Sequence, residues 1–106
     1  ACSFCDTGLL VGSGKLLGLP GWSILEQVFY AEAFIRRDAP HKINSPMNVV
    51  FMGMGEPLLN YANVLDALGV LSREPMHRPV TLSTVGVSPR IATLAVDAPR
   101  STQLAL

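Results

Sequence analysis

Three short apolar runs constrain this chain more than any other feature: Asn48-Val49-Val50-Phe51-Met52, Val80-Thr81-Leu82-Ser83-Thr84-Val85, and Gln103 to Leu106. Each is too short for a buried helix, the first two are rich in β-branched residues, and stretches with helical spacing separate them. Strands joined through helices must run parallel, with right-handed crossovers, so the fold class is α/β with roughly three strands and three helices. Continuous apolar runs without polar alternation are expected of strands covered on both faces. Three strands do not decide between an open doubly wound sheet and part of a parallel β/α barrel. In either architecture ligand chemistry belongs at the C-terminal ends of the strands, where Gly53 to Pro57 and Ser83 to Gly86 lie.

The helices are legible from spacing and termini. Ser23 stands three residues before Glu26, as in a capping box, and Ile24, Val28, Ala31 and Ile35 recur at helical intervals with Leu25 and Phe29 beside them, which predicts a helix over 23–37. Arg36 and Arg37 at its end read as cations set against the helix dipole rather than as contacts to RNA phosphate. Before it, Gly8, Gly12, Gly14, Gly18 and Gly21 with Leu19-Pro20-Gly21 make 6–21 a long loop. Residues 38–46 read as a connection. Asn60 is expected to cap a helix whose stripe is Val64, Leu65, Leu68 and Leu71, ending near Ser72 before Pro75. Ser88-Pro89 is expected to cap and open a third helix that runs to about Val96.

Composition narrows the class further. With 8 basic and 8 acidic side chains, 49% hydrophobic and 15% charged residues, the chain is too apolar to be disordered. Its zero net charge argues against a long-range basic field for nucleic acid, and no apolar run is long enough to predict a membrane span. So many apolar residues with so few charges read as a piece of a larger buried sheet. The ends agree, since the chain opens Ala1-Cys2-Ser3-Phe4-Cys5 without an initiator Met, signal or transit sequence and closes in the middle of a strand. A fragment truncated at both ends is therefore expected. Two cysteines are too few for a disulfide framework, which points to a reducing compartment, the cytoplasm, with an organelle as the alternative.

Cys2 and Cys5 form a C-x-x-C pair on the glycine-rich loop. Thiolates at this spacing can grip a metal or cluster, form a redox disulfide, or be two small buried residues. A zinc site would need His41 and His77, which are far apart in sequence and read as exposed loop residues. Gly53-Met54-Gly55-Glu56-Pro57 is the second constellation. Two glycines at a strand end let a ligand approach the backbone, and the carboxylate that follows can accept hydrogen bonds from an amine. The plainer alternative is a tight turn with a solvated Glu. Met52 and Met54 read as core filler more readily than as pocket lining. Ser83 and Thr84, at the end of the next strand, fall on the same rim as Glu56 and can bracket the polar end of a small ligand.

Taken together, Cys2-Ser3-Phe4-Cys5-Asp6-Thr7-Gly8, Gln27-Val28, Asn48 to Asn60 with its Met-Gly-Met-Gly-Glu-Pro-Leu-Leu-Asn, and Val80 to Val87 resemble the radical S-adenosylmethionine RNA methyltransferases that act on carbon 2 of adenine. The resemblance implies that residues 1–106 are the N-terminal part of a radical S-adenosylmethionine core domain, a β/α barrel. It implies that Cys2 and Cys5 are the last two of three cysteines in C-x-x-x-C-x-x-C, which hold a [4Fe-4S] cluster and leave one iron open for S-adenosyl-L-methionine. Phe4 then packs near the adenine of the cofactor, Gly55 and Glu56 receive its methionine amino group, and Ser83 makes a further contact. The implied partners are ribosomal RNA, with transfer RNA as a second candidate, and an electron donor, with no membrane involved.

The sequence also departs from that pattern. Gly14-Lys15-Leu16-Leu17-Gly18-Leu19-Pro20 stands where the family usually shows an aromatic-x-Arg-Asn-Leu run, Asp6 replaces a small residue, and Val85 replaces a common Ser. The first cluster cysteine would precede Ala1, a Ser-Leu-His segment would begin just past Leu106, and the C-terminal cysteine that carries the methyl group in the family is missing here. Two rivals accompany this reading: a radical S-adenosylmethionine reaction on a different substrate, and a degenerate, non-catalytic iron–sulfur module.

Overall fold

The three apolar runs pair as parallel strands in the computed structural model, which describes residues 17–42, 47–73 and 77–106. In chain order the elements are α1 (Gly21–Asp38), a 3-10 turn (Pro40–Lys42), β1 (Val49–Phe51), a second 3-10 turn (Pro57–Asn60), α2 (Tyr61–Leu71), β2 (Val80–Ser83), α3 (Ser88–Asp97) and β3 (Thr102–Ala105). The sheet order is β1-β2-β3, with Val49 beside Val80 and Phe51 beside Leu82, then Val80 beside Thr102 and Ser83 beside Ala105. Each crossover steps in the same direction, so right-handed connections carry α2 and α3 to one side of the sheet.

The core follows from that arrangement. Val80 and Leu82, two residues apart and hence on one face of β2, are buried with Leu58, Val64, Leu68 and Leu71 from the α2 region and Leu94 from α3. Each fully buried Leu contributes about 1.5–3 kcal/mol relative to its exposed state, so β2 and α2 dominate the packing. Ile24, Leu25 and Val28 of α1 and Val49 and Phe51 of β1 pack around this cluster. The opposite sheet face differs from the expectation of cover on both sides. Among the described residues Val50 is 49% exposed and Gln103 is exposed, while Thr81 and Ser83 are half-buried. Helices cover one face, and the other carries the exposed Val50 and Gln103 with the half-buried Thr81 and Ser83.

The element bodies match the sequence spacing, but three helix starts do not. α1 begins at Gly21, with Pro20 in extended backbone before it and no side-chain cap, so Ser23 and Glu26 lie inside the helix rather than forming a box. Asn60 precedes α2 without capping it. Its side chain instead donates to the Leu19 carbonyl at 2.7 Å and accepts from Asn63 Nδ2 at 2.8 Å, while Asn63 Oδ1 accepts from the Gly21 amide at 3.3 Å. The two asparagines thus bind the chain entering α1 to the start of α2. Val87 is the residue before α3, and Ser88 is already helical. On α1 the inward stripe is Ile24, Leu25, Val28, Glu32 and Ile35, whereas Ala31 and Phe29 are exposed. Glu32 replaces Ala31 on that stripe because Arg78, just before β2, reaches it with Nη2 at 2.6 Å and Nε at 3.1 Å. No described helix is long and apolar enough to cross a membrane.

Candidate functional site

The C-terminal ends of β1 and β2 meet through one carboxylate. The chain leaving β1 turns through Gly53 at φ +108° and Gly55 at φ +95°, backbone conformations that side chains rarely adopt. Among the described residues a Cβ at either glycine would meet nothing within 4 Å, so on that side their backbone is open to the approach of a ligand. Pro57 then opens the 3-10 turn, and Glu56 caps it: Oε1 accepts from the Leu58 amide at 2.9 Å.

The same carboxylate reaches across to the end of β2. Oε1 also accepts from the Thr84 hydroxyl at 2.6 Å, and Oε2 accepts from the Val85 amide at 2.9 Å. Partial burial pushes the Glu56 carboxyl up, yet the Thr84 hydroxyl and the Val85 and Leu58 amides together hold it below the usual carboxylate range. Glu56 is therefore an anion at neutral pH, and among the described residues three donors fill three of its roughly four acceptor positions, two on Oε1 and one on Oε2. Glu56 is therefore more than the solvated turn residue of the plainer alternative. It first joins two strand ends.

Ser83, the last residue of β2, directly precedes the Thr84–Val85 segment that Glu56 holds and lies beside Ala105 of β3 on the open sheet face. The structure thus brings Gly55, Glu56 and Ser83 to one rim, as expected of neighbouring parallel strands. Cys2, Phe4 and Cys5 lie outside the described residues, as does most of the glycine-rich loop. Met52 and Met54, expected as core filler, are 76% and 71% exposed on the rim side of β1, where the two glycines carry the chain away from the core. His41 and His77 are both exposed, with the His77 ring 3.2 Å from the Ser72 carbonyl. Among the described residues no three His, Cys, Asp or Glu side chains gather in a metal-holding group.

Sequence reasoning did not find the part played by Thr84, which it placed on the rim only as a neighbour of Ser83. A threonine two residues before a glycine, at the end of a strand, was the available signal. Nor did it find Asn63, although its i, i+3 spacing from Asn60 is visible.

Comparison with curated proteins gives close relatives over this stretch. The chain is 45% identical over 112 aligned residues to a probable dual-specificity RNA methyltransferase RlmN of Mycobacterium tuberculosis, which covers 100% of this chain and 29% of the relative. It is 41% identical over 98 residues to the probable enzyme of the same name from Chlorobium phaeobacteroides, covering 88% of this chain and 26% of that protein. Against the dual-specificity RNA methyltransferase RlmN 2 of Myxococcus xanthus it is 41% identical over 96 residues, covering 86% of this chain and 25% of that protein. The chain thus spans between a quarter and a third of the length of these relatives. No family model matches it, and no solved structure does.

Proposed function

The chain belongs, as a segment, to the dual-specificity RNA methyltransferase family, and from this premise we propose that it is the N-terminal part of a radical S-adenosylmethionine core domain in a longer RNA-modifying enzyme. The reaction proposed is methylation of carbon 2 of adenine in ribosomal RNA, with transfer RNA as a second substrate, an external electron donor, and the cytoplasm as the compartment. The three-stranded parallel sheet is then an arc of a β/α barrel. Its helix-covered face is the outside, and the face of Val50, Thr81, Ser83 and Gln103 is the interior.

One observation carries this reading: Glu56 joins the glycine turn after β1 to the segment after Ser83, so that open backbone, a carboxylate and a hydroxyl share one rim. The residues fit an amino-acid ligand. The open space at Gly53 and Gly55 admits the methionine part of S-adenosyl-L-methionine to the backbone, and the acceptor capacity left on Glu56 Oε2 suits its ammonium group. Ser83 would supply a further polar contact, and the family resemblance assigns Phe4 to the adenine. Cys2 and Cys5 are the residues that would hold the [4Fe-4S] cluster. When bound, the cluster and S-adenosyl-L-methionine supply one-electron chemistry and the methyl carbon. The chain's own part is to hold the cofactor's amine through an ionised Glu56, to fix the rim by hydrogen bonds within the protein, and to bury β2 so that the rim does not shift.

Anaerobic cluster reconstitution of the full-length protein tests the assignment of roles. Cys2→Ala and Cys5→Ala should lose the iron–sulfur absorbance, and Glu56→Gln should keep it while binding S-adenosyl-L-methionine more weakly. A Glu56→Gln protein without a cluster, or a Cys5→Ala protein with a full one, contradicts the assignment.

A further inference from the structure

Among the described residues Thr84 is the one buried polar side chain, 6% exposed, and both its amide and its hydroxyl are engaged at the end of β2. Its amide donates to the Ala105 carbonyl of β3 at 3.0 Å. Its hydroxyl donates to Glu56 Oε1 at 2.6 Å and accepts from the Gly86 amide at 3.1 Å. The direction of this relay is forced, because a carboxylate can only accept, an amide N–H can only donate, and a hydroxyl has one proton to give. Gly86 sits at φ +89°, where a side chain would be strained, so the turn from β2 into α3 depends on a backbone that this hydroxyl holds.

We propose that Thr84 is a positioning residue for the cofactor: its hydroxyl locks the Glu56 carboxylate to the Gly86 turn, so the loops after β1 and β2 form a rim already set for S-adenosyl-L-methionine before it binds. This deepens the reading above and rests on it. Thr84 need not touch the ligand. Without the hydroxyl, Glu56 Oε1 keeps the Leu58 amide alone among the described residues and the Gly86 amide loses the bond to Thr84, while the methyl group and the Ala105 contact still fill the space. Binding must then order a rim that the wild type holds ready, and affinity falls while the fold remains.

The test compares the full-length wild type with Thr84→Val, which keeps shape and loses the hydroxyl, and Thr84→Ser, which keeps the hydroxyl. Equilibrium binding of S-adenosyl-L-methionine to the reconstituted protein should weaken about tenfold in Thr84→Val and return to within about twofold of wild type in Thr84→Ser. Amide exchange at Val85 and Gly86, read without cofactor, should speed by a similar factor in the valine variant and recover in the serine variant. Unchanged affinity and exchange in Thr84→Val overturn the inference, as does a serine variant as impaired as the valine one, since packing and not the hydroxyl would then matter. A wild type that does not bind S-adenosyl-L-methionine overturns the functional reading itself and this inference with it, whereas a wild type that binds beside an unaffected valine variant overturns the inference alone.

Discussion

Replacing Glu56 by Gln in the full-length protein should loosen the joint between the two strand ends without unfolding the core. The amide offers one carbonyl oxygen and one NH2 group where the carboxylate offers two acceptors. Its best orientation keeps the oxygen on the Leu58 amide and Thr84 hydroxyl, which turns NH2 toward the Val85 N–H, donor against donor. One bond to a charged acceptor, about 1.5–3 kcal/mol, is lost, and the surviving two weaken from charge-assisted to neutral bonds. Val85 is exposed and water can satisfy its amide, so the net cost should come to about 2 kcal/mol, or about 30-fold in local opening. Hydrogen exchange at the Val85 amide near pH 7, without cofactor, measures this directly. The pH dependence has a definite sign. Because the native Glu56 pKa lies below its ordinary value of 4.5, the wild type's advantage is present above that value and fades as pH falls through the native one. Exchange in the Gln variant within twofold of wild type at neutral pH, or a difference that does not shrink on acidification, would refute the reasoning.

Three further outcomes are expected. Gly55→Ala meets no atom of the described residues but forces a side chain onto φ +95°, so it should cost about 1–2 kcal/mol in strain, seen as a lower thermal midpoint; an unchanged midpoint would show that the turn relaxes freely. Glu32→Gln should destabilise the α1 packing by about 1–2 kcal/mol, since it removes the charge that meets the partly buried Arg78; chemical denaturation beside Arg78→Met and the double variant would show a coupling energy, and strict additivity would count against the pair. Residues 1–106 expressed alone should self-associate in sedimentation, because Val50 and Gln103 lie open on one sheet face and β1 and β3 are the outer strands among the described residues; a monomer with a cooperative thermal transition would contradict the barrel-arc reading.

The parallel sheet was legible because short apolar runs separated by helical spacing admit few arrangements, and Val80, Leu82, Leu68 and Leu71 sit where those patterns place them. Helix starts were not. Ser23 and Asn60 have the chemistry of caps, but Pro20 sets the entry to α1, and the Asn60 amide is drawn to Leu19, 41 residues away in sequence. Glu32 was invisible as an inward residue for the same reason: its partner, Arg78, is 46 residues distant. Gly55, Glu56 and Ser83 were identified as rim residues from their place after the strands, and the structure groups them there. That Glu56 is held by Thr84 and Val85, 28 and 29 residues on, needs the register of β1 on β2, which no local pattern contains. The cluster assignment of Cys2 and Cys5 rests on the resemblance and on their spacing, since both fall outside the described residues.

The most direct test of the central claim is nucleoside analysis of RNA after anaerobic incubation with the reconstituted full-length protein, S-adenosyl-L-methionine and a reductant. The account predicts 2-methyladenosine in ribosomal RNA, together with 5′-deoxyadenosine, and neither product from the Cys5→Ala protein. RNA methylated at another position, or 2-methyladenosine formed equally well by the Cys5→Ala protein, would contradict it.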